Sequence, residues 1–315
     1  MKRVTNIATT LVVLLVFIST DIGKAQQRLY YPYFNQYRFE GMVMNPAFAG
    51  SREVLSTSLF FKRSMVGFDG GKEYQTFTAH TPLKNYKVGL GFLFMHETFG
   101  IDHKYDFYLN YAYRVNMPIG KISLGLKGGM TLNAKNYDEL DFSPRYPTDP
   151  VFDNLGRETS LLPNFGVGFY YYTRKFFLGA SIPLLLSENV DETDGGLSVT
   201  HNMDNYNYIG NTGVRLETEA GITFVPSILM LYVKNSPLHY VGNLSVEFFD
   251  DFLSVGAGYS GENLIASIQV QANEQLKIGY TYDNSIITDF SIQTHEIMLR
   301  YEFRYVIKAS NPVDF

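Results

Sequence analysis

The chain has neither cysteine nor tryptophan among its 315 residues. Without cysteine there is no disulfide framework, no thiol nucleophile and no lipid-bearing cysteine behind an export signal. After residue 25 no apolar run reaches the ~18 residues that mark a membrane-spanning helix. Catalytic signatures are scarce as well. The six histidines (His80, His96, His103, His201, His239, His295) never form HExxH, no GxSxG nucleophile elbow occurs, and NPAFAG lacks the GK[ST] of a phosphate loop. Basic charge is not in excess. Leaving out residues 1–25 removes Lys2, Arg3, Lys24 and Asp21, so 23 basic side chains face 30 acidic ones. That balance gives no electrostatic case for nucleic acid.

What is present begins with an export signal. Lys2 and Arg3 form a short basic region, Ile7 to Ile18 an apolar one, and Gly23-Lys24-Ala25 puts small residues before a cut at Gln26. Residues 1–25 therefore read as a cleaved secretory signal. The other reading is a single membrane anchor, for which the run is short of the ~20 residues required.

The rest is strand after strand. Aromatic residues make up 16% of the chain, 24 Tyr and 25 Phe. Phe107, Leu109, Tyr111, Tyr113 and Val115 alternate with Tyr108, Asn110, Ala112 and Arg114. Ile122, Leu124, Leu126 and Met130 alternate with Ser123, Gly125, Lys127 and Thr131. In THEIMLRYEFRY, Ile297, Leu299, Tyr301 and Phe303 share one face, and Glu296, Arg300, Glu302 and Arg304 share the other. Period two is strand geometry. A soluble antiparallel sheet would show the same alternation, with its charges toward water. Here the polar face carries Gly, Ser, Thr, Asn, Lys and Arg throughout, and segments of about 9–12 residues match tilted strands crossing a bilayer. The fold expected is all-β: a transmembrane antiparallel β-barrel of about 14 strands, centred near Ser58, Phe77, Gly91, Asn110, Leu126, Gly168, Gly179, Gly213, Ile228, Leu244, Gly256, Ser267, Ile278 and Leu299. Tyr supplies the interfacial girdle and the second face lines a wet lumen, where Glu296, Arg300, Glu302 and Arg304 pair with one another and with a neighbouring strand.

With both termini periplasmic, the long fifth (133–161) and seventh (186–205) connections lie outside, and the tight sixth, eighth and tenth lie inside, as barrels prefer. The ninth and eleventh are short although they face out. The organisation expected is a signal at 1–25, an N-terminal periplasmic arm at 26–53, the barrel at 54–305 and a C-terminal tail at 306–315.

More specific patterns follow in order: Asn45-Pro46-Ala47-Phe48-Ala49-Gly50, KRSMVGFDGG, GLGFLFMHETFG, YAYRVNM, the Asp149-Pro150 of TDPVF, LPNFGVGFYY, FFLGASIPLL, VPSILM, IGYTYD and HEIMLRYEF. Together they resemble the PorP/SprF family of the type IX secretion system of Bacteroidetes, over about residues 33–303. The family's usual Arg-x-x-Trp after the first strand is missing, Met65 following Lys62-Arg63-Ser64. The resemblance implies a non-enzymatic outer-membrane barrel required for protein export. Its expected partners are outer-membrane lipid, the periplasmic ring and motor-associated proteins of the machine, and a secreted surface adhesin. No cofactor is implied.

Each candidate has a competing explanation. The turn at Asn45, Pro46 and Gly50 brings the arm into the barrel, or docks a periplasmic partner. His96-Glu97 and Asp102-His103, placed in one outer loop, suit an acid–base or metal pair less well than ordinary exposed loop residues. His295 suits a structural hydrogen bond near the interface. Pro144, Pro147 and Pro150 belong to a long loop that folds into the pore or meets a surface partner. The acidic seventh loop suits solvation better than Ca²⁺. Glycines on the polar face make room in the lumen. A passive channel is the alternative function, motivated by the charged lumen face.

Overall fold

A computed structural model describes residues 31–83, 86–137, 156–190, 197–249, 251–261, 263–286 and 292–303. The first half of the chain forms β1 (Leu55–Ser64), β2 (Glu73–Pro82), β3 (Val88–Phe99), β4 (Asp102–Asn116), β5 (Lys121–Asn136), β6 (Arg157–Tyr172) and β7 (Phe176–Ile182). A separate hairpin, β8 (Ser187–Val190) and β9 (Leu197–Thr200), follows. The second half forms β10 (Tyr208–Val214), β11 (Leu216–Glu217), β12 (Thr223–Tyr232), β13 (His239–Phe248), β14 (Leu253–Tyr259), β15 (Asn263–Gln271), β16 (Leu276–Ser285) and β17 (Gln293–Phe303).

Each barrel strand pairs antiparallel with its neighbours. β1 pairs with β17 from Leu55↔Phe303 to Ser64↔Thr294, and β10 pairs with β12, which closes the ring. Counting β11 as the end of β10, the barrel has 14 staves, and all fourteen expected centres fall within them. The strands are less uniform than expected: β7 has 7 residues, whereas β5 and β6 have 16 each. The long pair carries the fifth connection outward and shortens it to 137–156. The third connection, outward-facing, is also tight, with only Gly100 and Ile101 between β3 and β4.

The alternation sorts side chains as hydrophobicity requires. Leu59, Leu90, Leu109, Leu124, Phe165 and Leu299 point outward and are exposed, Leu109 to 67%. An apolar outer belt is stable only against lipid. Among the described residues no helix is long and apolar enough to cross a membrane.

The interior departs from the sequence reading in two ways. Residues 31–53, the described part of the segment 26–53 expected as a periplasmic arm, lie inside the barrel, and most of them are buried. The lumen is also not wet throughout. Inward-facing Phe60, Leu93, Met95, Leu229, Leu231 and Met298 form one apolar cluster with Tyr31, Phe34, Tyr37, Val43 and Met44 of the inserted segment. The physical reason is mutual. A segment this rich in Tyr, Phe and Met gains by leaving water, and the apolar inward positions have no other partner to cover them.

Candidate functional site: the plugged lumen

Two features of the wall receive the plug. The first is room. A Cβ at Gly125 would overlap the backbone of Ala47, one at Gly168 would overlap the Asn45 side chain and the Pro46 ring, and one at Gly89 would overlap the carbonyl of Ala49. Inward glycines on β3, β5 and β6 thus form a cradle into which backbone fits directly, as glycine alone permits. Within it Pro46–Phe48 makes a single 3-10 turn. Asn45 caps the turn, its Oδ1 accepting from Ala47 N at 3.0 Å, and its Nδ2 donates to the Phe169 carbonyl at 2.9 Å. Pro46 stands at the first helical position, where no N–H is needed. Gly50 follows at φ +71°, its N–H donating to His80 Nδ1 at 3.1 Å and its carbonyl accepting from Arg114.

The second feature is charge fixed on the wall. Glu296 is fully buried and accepts two plug amides, Asn35 N at 3.0 Å and Gln36 N at 3.1 Å. The plug's own Glu40, also buried, accepts from Ser58 at 3.1 Å and lies 3.4 Å from His80 Nε2. Lys62 donates to the Tyr33 carbonyl at 2.8 Å. Lys127 donates to the Tyr31 hydroxyl at 2.7 Å and sits 4.2 Å above the Tyr108 ring. Arg38 of the plug pairs with Glu247 of β13. Charged hydrogen bonds of this kind are about twice as strong as neutral ones, and each satisfies a group that burial would otherwise penalise.

The structure therefore unites part of the expected site. Asn45, Pro46 and Gly50 sit in the glycine cradle. Glu296 and Arg300 grip the plug rather than each other, Arg300 donating to the Phe39 carbonyl at 3.0 Å. Glu302 stands 3.2 Å from Arg300. Asp149, Pro150 and Arg304 lie outside the described residues. His96 and Glu97 are not loop residues but adjacent positions of β3, and so point to opposite faces. Glu97 turns inward to Lys72 at 2.7 Å, while His96 stacks on Tyr105 at 4.4 Å between centroids. The two side chains therefore do not converge, and among the described residues no cluster of His, Asp and Glu suits a metal ion. His295 bonds the Tyr280 hydroxyl at 2.7 Å.

Sequence reasoning missed Arg38, Glu40, His80, Lys127 and Glu247. The signal available was parity. His80 shares the inward face of β2 with Tyr74, Thr76 and Thr78, and Glu247 shares that of β13 with Ser245.

The two ends of the barrel differ. The end holding Leu55 and Phe303 has short turns, whereas the other carries the long connections at 137–156 and 183–207. In outer-membrane barrels the short-turn end is periplasmic. There the plug stops short, leaving a cavity of about 230 Å³ under Phe39 and Phe48.

Residues 26–301 match the family of type IX secretion system membrane proteins PorP/SprF. The chain belongs to this family. It is an outer-membrane β-barrel of the PorP/SprF type. No curated protein matches it closely. Similar solved structures include the CymD monoaromatic hydrocarbon channel, 12% identical with a TM-score of 0.52 over 84% of this chain and 93% of that one. The Ralstonia pickettii toluene transporter TbuX is likewise 12% identical, with a TM-score of 0.51 over 84% and 93%. At such identities the likeness is one of fold, an outer-membrane barrel, and does not extend to function.

Proposed function

We propose that this PorP/SprF barrel is a sealed, non-enzymatic anchor of the type IX secretion system. In this reading its periplasmic end engages the ring and motor-associated proteins, and its outer loops engage a secreted surface adhesin. The observation that supports it is the filled lumen. Residues 31–53 occupy the interior through an apolar cluster, a steric cradle and at least five charged side chains. A barrel closed in this way transmits attachment rather than solute. The family membership supports the secretion role.

The test has two arms. In planar bilayers the wild-type barrel gives no stable single-channel steps. Mild extraction with an epitope tag placed between Val151 and Gly156 recovers periplasmic ring proteins or a large adhesin by mass spectrometry. Recovery of the barrel alone, together with stable conductance, overturns the anchor in favour of a passive channel.

A further inference from the structure

The cavity at the periplasmic mouth carries an excess of positive charge. Five cations line it: Arg38 and Arg52 from the plug, and Arg215, Lys277 and Arg300 from the wall and its turns. Two carboxylates, Glu247 and Asp251, also line it. Both are already engaged. Glu247 takes Arg38 and, at 3.0 Å, Arg215, and Asp251 takes Arg215 at 3.0 Å. The other three cations have little. Arg52 and Arg300 converge on one neutral acceptor, the Phe39 carbonyl, at 2.7 and 3.0 Å, and Arg300 has Glu302 beside it. Lys277 is only 6% exposed, makes no ion pair among the described residues, and has the Phe39 ring 5.2 Å from its ammonium. The buried Nη2 of Arg38 and Nε of Arg52 have no hydrogen-bond partner among the described residues. Guanidinium and ammonium groups gathered in a partly enclosed space repel one another, and an uncompensated buried charge is costly. An anion resolves both problems, and a fork of guanidinium N–H groups matches an oxyanion's geometry.

We propose that this cavity is a binding site for an oxyanion group, a carboxylate or phosphate entering from the periplasmic side. The occupant bridges Arg38 and Arg52 of the plug to Lys277 and Arg300 of the wall, and so bolts the plug in place. The volume suits one acidic side chain or a free phosphate and excludes a folded domain. The proposal rests on the docked plug and not on the secretion role.

The test uses the full-length barrel in detergent at constant ionic strength, titrated calorimetrically with inorganic phosphate and, separately, with a capped hexaglutamate peptide. At least one binds saturably, and Lys277→Gln weakens that binding at least tenfold. Lys121→Gln, whose cation pairs with Glu53 and does not line the cavity, leaves it unchanged. Heat-modified gel mobility confirms that each variant remains a folded barrel. Binding of phosphate alone identifies a free oxyanion as the source, and binding of the peptide identifies an acidic protein segment. Absence of saturable binding to the folded wild-type protein overturns the proposal, as does equal weakening by Lys121→Gln and Lys277→Gln. Neither result bears on conductance or co-purification, so this site and the anchor function fail separately.

Discussion

Replacing Glu296 by Ala tests what holds the plug. The carboxylate accepts two plug amides, at 3.0 and 3.1 Å, from a position with no access to water. Hydrogen bonds to a charged acceptor contribute about 1.5–3 kcal/mol each, so losing both costs about 3–6 kcal/mol, with the lower end favoured because Asn35 N is only partly buried. At 1.4 kcal/mol per factor of ten, the equilibrium between docked and released plug shifts toward release by about 10²–10⁴. The absence of native cysteine gives a clean reporter. Val43→Cys changes size little at a position 1% exposed, within the apolar cluster. Maleimide labels it only when the plug leaves. Where opening and closing outpace labelling, the rate follows the open population. In the Val43→Cys background, Glu296→Ala is expected to raise the labelling rate at least a hundredfold, and Glu296→Gln, which keeps one acceptor oxygen, by less. A rate within threefold of the Val43→Cys protein alone would refute the claim that this carboxylate holds the plug.

Gly125→Leu places a side chain where the Ala47 backbone lies. It is expected to keep the barrel but expel the 45–49 turn, producing single-channel steps in planar bilayers that the parent lacks. Leu109→Arg puts a charge on the outer belt midway along β4 and should cost about 2–4 kcal/mol in denaturant unfolding from vesicles, whereas Leu109→Met should be nearly neutral. At the periplasmic turn, burial pushes the Asp251 carboxyl up, but contacts with Glu247 and the Arg215 guanidinium outweigh it and hold the group below its ordinary value of 3.8. Its stabilisation is therefore complete above about pH 5 and is lost as pH falls through the lower folded value. Asp251→Asn should lower the melting temperature at pH 7 and flatten its dependence on pH below 4.

The barrel was legible in the amino-acid pattern alone. The lipid-facing run Ile297, Leu299, Tyr301, Phe303 and its counterparts on β4 and β5 could be read because strand periodicity is local. Each side chain's face follows from its neighbours two residues away, and a one-residue slip would put Glu296 and Arg300 into lipid. The strand count was legible for the same reason. The location of residues 31–53 was not. Asn45-Pro46 marks a turn, expected where the arm enters the barrel, and Gly125 or Gly168 on a polar face reads as empty room in the lumen rather than as the seat it proves to be. Only the closed ring brings Glu296, near the C-terminus, to the amides of Asn35 and Gln36, some 260 positions away. Only that closure sets Lys277, Arg300 and Arg52 around one cavity. Lumen contacts of this kind depend on shape and charge across the barrel, and no local pattern encodes them. The closed barrel makes much of the polar face a socket for the chain's own N-terminal segment.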